Sequence, residues 1–96
     1  MRVKILPSAI ADLALGFAFY ERQQAGLGDY FLDSLFADID SLVHLGGIHR
    51  KVFGSHRLLA KTFPFSVYYS VEDGIVRVKA ILDCRRDPHW IKTKLG

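Results

Sequence analysis

The densest chemistry in the chain lies in Leu82–Trp90, LDCRRDPHW, where two arginines stand between two aspartates and a histidine and tryptophan follow. Arginine presents a planar fork that suits phosphate and carboxylate. Histidine titrates near neutral pH and can carry a proton in either direction. An indole can stack on a base. Arg85 and Arg86 are thus candidate contacts for an anionic target, His89 a candidate proton carrier and Trp90 a stacking platform. The same residues also read as a plain strand exit. Asp87 can cap a short helix with Pro88 in its first position, and Trp90, Ile91 and Leu95 can pack back on the core. His89 is then a surface histidine.

Composition narrows the choices. The sequence has 96 residues, 50% of them hydrophobic, and a net charge of +3. That predicts one domain over residues 1–96 with a single core, and no disorder. Charge is unevenly spread. Residues 1–49 hold three Lys/Arg against six Asp/Glu, a net −3, and residues 50–96 hold ten against four, a net +6. The basic half is a candidate surface for nucleic acid or an acidic partner, with a solvated basic sheet as the plainer alternative. No run approaches the roughly 18 apolar residues of a membrane span, and the apolar stretch in MRVKILPSAI is too short for a signal peptide. A cytoplasmic protein without a membrane partner is expected. The single Cys84 cannot form an internal disulfide and reads as a packed strand residue. CxxC and Cys/His zinc spacings are absent, and His44, His49 and His56 form no i, i+4 pair, so neither a metal nor a cofactor is expected.

The elements that must position these residues are legible from periodicity. Residues 2–6 alternate and stop at Pro7, as a short strand does. Ser8 can cap a helix with Ile10, Leu13, Phe17 and Tyr20 on its apolar side, broken by Ala25–Gly28. A second helix carries Phe31, Leu35, Ile39 and Leu42 on one stripe and ends at Gly46-Gly47. From His49 onward the period becomes two, predicting strands near 56–62, 65–72 and 75–84. Asp73-Gly74 marks a two-residue hairpin turn. Its register sets Val71 opposite Val76, Tyr69 opposite Val78, Val67 opposite Ala80 and Phe65 opposite Leu82. A tight turn at Phe63-Pro64 sets Leu58 opposite Tyr69 and Ala60 opposite Val67. The predicted fold is α+β, β-α-α-β-β-β, with a helical hairpin on one face of an antiparallel sheet and a short C-terminal helix.

The opposite face then carries Arg57, Lys61, Ser66, Tyr68, Ser70, Arg77 and Lys79, with Leu59 and Ile81 among them. Such a face can bind phosphates and stack a base on the tyrosine. It can equally be the wet side of an antiparallel sheet. Leu59 and Ile81 suggest that something covers part of it.

The order of elements, AIADL…FYERQQAGLGDYFLDSL, PFSVYYSVEDG (Pro64–Gly74) and DCRRDP (Asp83–Pro88) together resemble the RelE/ParE superfamily of bacterial type II toxins. The resemblance spans nearly the whole chain. It implies a small cytoplasmic toxin, often serving plasmid stabilisation, that a cognate antitoxin neutralises in a toxin–antitoxin hetero-oligomer. ParE-like members are associated with inhibition of DNA gyrase. RelE-like members cut mRNA on the ribosome without a metal, and under that reading His89, Arg57 and Arg85 are the catalytic candidates, with His49 and His56 secondary. The RRDP ending followed by the basic segment HWIKTKL, and the lack of a terminal tyrosine, place the resemblance nearer ParE. Arg57, Lys61, Tyr68, Arg77, Lys79, Arg85, Arg86 and Trp90 are then the expected target or nucleic-acid contacts. A solitary toxin homologue that only binds partners is the third reading.

Overall fold

The computed structural model describes residues 1–96. The elements run β1 (Arg2–Ile5), α1 (Pro7–Gln23), α2 (Leu27–Asp40), α3 (Leu42–Leu45), β2 (Lys51–Val52), β3 (Ser55–Leu59), β4 (Phe65–Glu72), β5 (Ile75–Asp83) and α4 (Pro88–Leu95). One five-stranded sheet has the order β1-β5-β4-β3-β2. The expected α+β layout forms, with three departures: the short helix α3 split from the end of α2, the two-residue strand β2, and β1 lying parallel to β5 in an otherwise antiparallel sheet.

The hairpin helices differ from expectation at their ends. α1 starts at Pro7 with Leu6 in the cap position, and proline suits that first turn because its missing N–H needs no partner there. Ser8 does not cap; its hydroxyl donates to the Lys79 carbonyl at 2.6 Å. The buried stripe is Ala9, Leu13, Gly16 and Tyr20, leaving Phe17 half-buried and Ile10 55% exposed. The stripe runs through Gly16 because Phe31 presses against it: a Cβ there would stand 2.5 Å from that ring. α2 buries Phe31, Leu35 and Ile39 as the spacing predicts, whereas Leu42, also buried, belongs to the separate turn α3. The Glu21 carboxylate accepts from the Gly26 and Gly28 amides at 3.0–3.1 Å, so the end of α1 satisfies the start of α2.

The sheet register holds near the turn and slips beyond it. Asp73 and Gly74 both take left-handed angles (φ 52° and 72°), as a type I′ turn requires. Tyr69 faces Val78 as expected, but then a bulge inserts Lys79, and Tyr68 faces Ala80, Val67 faces Ile81 and Phe65 faces Asp83. The expected Val67–Ala80 and Phe65–Leu82 pairs do not form. A one-residue slip exchanges faces. Ile81 therefore joins the core under the hairpin, while Ala80 and Leu82 turn to the other side. The cause lies in α1, one turn apart: Ser8 binds the Lys79 carbonyl and the Asp12 carboxylate accepts from the Ile81 amide at 3.0 Å. Groups displaced from the ladder by a bulge need such partners.

Between β3 and β4 the chain takes a wider loop over residues 60–64, closed by the Ala60 amide on the Phe65 carbonyl at 2.9 Å. Leu58 consequently faces Val67, not Tyr69. Ala60 lies in the loop, so its expected pairing with Val67 is absent. That shift of two residues changes partners and preserves faces. Since β3 ends at Leu59, Lys61 sits in the loop, where its amide donates to the buried Asp38 carboxylate at 3.1 Å.

Candidate functional site

The residues of Leu82–Trp90 are arranged by α4. Asp87 accepts from the His89 amide at 2.9 Å and Pro88 opens the helix. Ile91 is buried, and Trp90 and Leu95 partly so, against Tyr68, Ala80 and Leu82. This packing sets the Trp90 ring at the lip of a cavity of about 350 Å³ between α1 and α4, whose lining includes Asp12, Phe19, Arg22 and Asp83. The Arg86 guanidinium lies 4.5 Å from the Trp90 ring centre and the Lys94 ammonium 5.6 Å. Both cations are attracted by the ring, which holds them in place without neutralising them.

Arg85 behaves differently. Its Nε and Nη2 donate to the two Asp83 carboxylate oxygens at 3.0 and 2.7 Å. This paired bond holds the Asp83 carboxyl below its usual range. The two adjacent arginines thus divide, Arg85 bound to a carboxylate and Arg86 presented on an aromatic ring. His89 is exposed and its ring makes no hydrogen bond within the chain. Cys84 is exposed rather than packed, because β5 ends one residue before it.

The open sheet face brings together only part of the expected set. Arg57 stands beside Tyr68, and Arg77 stands between Ser70 and Lys4. Lys79 lies in the bulge and Lys61 in the loop, apart from these rows. Tyr68 is 1% exposed and Ser66 0%, so Tyr68 offers no face for a base to stack on. The cover inferred from Leu59 and Ile81 exists, but α4 provides it over Tyr68, Ala80 and Leu82, and Leu59 remains 55% exposed. Nη1 of Arg77 is buried without a hydrogen-bond partner, a state an anion would relieve.

A third grouping lies at the β2 edge. The Tyr69 ring is fully buried, but its hydroxyl meets the Gly47 amide at 3.1 Å and Nδ1 of His49. Nδ1 of His56 lies 2.6 Å from the His49 carbonyl, and its ring stacks on Tyr69 with centres 5.0 Å apart. Sequence reasoning names both histidines but reads Tyr69 as plain core. The signal for the link is parity: His56, Leu58 and Ala60 alternate on one face, so His56 belongs to the stripe that pairs with Tyr69.

No family model matches the sequence, and no curated protein matches it. Among solved structures, the chromosomal ParDE toxin–antitoxin system from P. aeruginosa is similar, with a TM-score of 0.72 at 19% identity over 84% of this chain and 92% of that one. The architecture is the ParE-like toxin fold. No helix is long and apolar enough to cross a membrane.

Proposed function

We propose that the protein is the toxin of a type II toxin–antitoxin system, acting in the cytoplasm by binding DNA gyrase and neutralised by a cognate antitoxin. The observation that carries this reading is the likeness to the ParDE structure over nearly the full length of both chains. A toxin that works by occupancy needs an exposed contact patch, and Arg86 and Lys94 on the Trp90 ring supply one. Arg57 and Arg77 on the open face extend the cationic surface, and Lys79 in the bulge and Arg85 at the strand exit add to it. In this reading none of these groups does covalent chemistry. The +6 balance of residues 50–96 favours rapid capture of an acidic antitoxin segment, and that encounter weakens as salt rises.

The deciding experiment is induced expression in a bacterial host without antitoxin, with pulse-labelling of DNA and protein synthesis. Early loss of DNA synthesis with filamentous cells supports gyrase as the target, and Arg86→Glu should then relieve the arrest. Early loss of translation with intact DNA synthesis moves the target to the ribosome and mRNA. Unimpaired growth overturns the toxin reading and leaves a protein that only binds.

A further inference from the structure

The cavity between α1 and α4 holds more unmatched chemistry than a contact patch needs. One wall is a single face of α1, where Asp12, Phe19 and Arg22 recur at helical spacing; the other is built from β5, α4 and the turn between them, and brings Arg86, Trp90 and Lys94. The ten residues from Asp12 to Arg22 span about 15 Å of helix at 1.5 Å per residue. Charge is sorted along that length. Lys94 acts on the Asp12 carboxyl and Arg86 on the Asp83 carboxyl, so an ammonium and a carboxylate mark one end and two arginines the other. Asp83 is bound by Arg85 in the chain's one salt bridge, which leaves Asp12, Lys94, Arg22 and Arg86 as the cavity charges without an ion-pair partner. Asp12 gives one oxygen to the Ile81 amide and keeps further lone pairs for other donors. Burial raises its pKa from the usual 3.8, a penalty that added donors relieve. A volume of about 350 Å³ lies at the small end of ligand sites, the size for one nucleotide and not for a strand.

We propose that this cavity binds a free guanine nucleoside monophosphate, with Asp12 and Lys94 reading the base edge and Arg22 and Arg86 holding the phosphate. The guanine edge sets two adjacent N–H donors beside a carbonyl. A carboxylate accepts both donors, and an ammonium next to it donates to the carbonyl. Adenine turns a ring acceptor toward the same carboxylate and is disfavoured. Exposed Phe19, midway between Asp12 and Arg22, offers a ring for the base to stack on. Trp90 has another part: Arg86 and Lys94 lie against its ring, which seats the two cations. Guanidinium forks match phosphate oxygens, and a phosphate of nearly two negative charges meets two arginines. The site goes beyond the toxin reading and does not depend on which target Arg86 meets.

The test is calorimetric titration of the purified full chain with GMP, AMP, guanosine and inorganic phosphate. One GMP per chain is expected, with AMP and guanosine each weaker by about tenfold or more. Asp12→Asn keeps an oxygen for the Ile81 amide but turns a donor toward the guanine donors. It should weaken GMP by about tenfold or more and leave AMP unchanged, a selective loss that a merely structural Asp12 would not produce. Arg22→Gln, on an exposed helix position, should weaken GMP and leave guanosine unchanged. Urea unfolding confirms that both variants are folded. No GMP bound by folded wild type, or wild-type GMP affinity in Asp12→Asn, overturns the proposal. So does equal affinity for GMP, AMP and phosphate, which would mean a cationic surface only. Growth arrest, which Arg22→Gln should leave intact, scores the toxin reading separately: arrest without GMP binding removes this site alone, and GMP binding without arrest removes the toxin reading alone.

Discussion

The sheet has an apolar filling on each face, and the two are unlike. Under the helical hairpin thirteen buried side chains form one cluster; under α4 only four do. The first is dense with aromatic contacts, Tyr20, Phe31 and Phe63 meeting at ring-centre distances of 4.7–5.2 Å. The second rests on Ile91, the Asp87 cap and the Trp90 ring with its two cations. Arg86 and Trp90 thus ride on the smaller filling. A region with few buried apolar contacts opens locally at less cost than the whole fold, so the contact patch can adjust to a partner while the hairpin side stays fixed.

The largest effect that separates the two sides should come from Phe31→Ala. It removes the centre of the larger cluster and should destabilise the fold by about 3–5 kcal/mol in urea unfolding. Ile91→Ala should cost about 2 kcal/mol, the low end for such a truncation, because α4 can settle onto the gap. Native-state hydrogen exchange sharpens the contrast. Amides of Ile91–Lys94 should exchange through local opening, and those of Val67 and Val78 only with global unfolding. Equal protection on both sides would break the comparison. Next in size is Asp87→Ala, which leaves the His89 amide unpaired and should cost about 1 kcal/mol, seen as fraying of α4 alone.

The two sides also differ in how far they could be read from sequence. Phe31, Leu35 and Ile39 lie three to four residues apart and announce the hairpin face directly. Asp73-Gly74 and Asp87-Pro88 are local turn and cap signals, and local signals survive translation into structure. The bulge at Lys79 carries no such mark. Its partners Ser8 and Asp12 sit about seventy residues away, on an element that reads as an ordinary helix start. A register without it exchanges Ala80 and Leu82 with Ile81 and misplaces the second filling, although the α4 half of that filling is legible in Trp90, Ile91 and Leu95. Tyr68 reads as open surface for a different reason: nothing in its strand says that a later helix covers it. At the β2 edge, His49 meets Tyr69 only because the loop through Gly47 turns back on the sheet, a contact no periodicity encodes.

The smallest expected effect concerns two aspartates facing the same cavity with opposite titration. Asp12 has its pKa raised from the usual 3.8, chiefly by burial, partly offset by the Ile81 amide and by Lys94. A carboxyl raised in the fold binds its proton more tightly folded than unfolded, so its contribution is lost as pH climbs through the folded value. Asp83 is lowered by its bond to Arg85, so its contribution is present above 3.8 and lost as pH falls below it. The two have opposite signs in adjoining windows, Asp12 above 3.8 and Asp83 below it. Asp12→Asn keeps an oxygen to accept from the Ile81 amide and removes the desolvated charge. Its urea midpoint should rise slightly at pH 7, and the stability that the wild type gains from Asp12 as pH falls toward 3.8 should be absent. Asp83→Asn should lower the midpoint slightly at pH 7 and flatten the loss of stability below pH 3.8; Arg85 is well exposed, so the change is small. A lower midpoint for Asp12→Asn at pH 7 would mean that the bulge depends on the carboxylate's charge, and that electrostatics fasten the hairpin side as well as apolar packing.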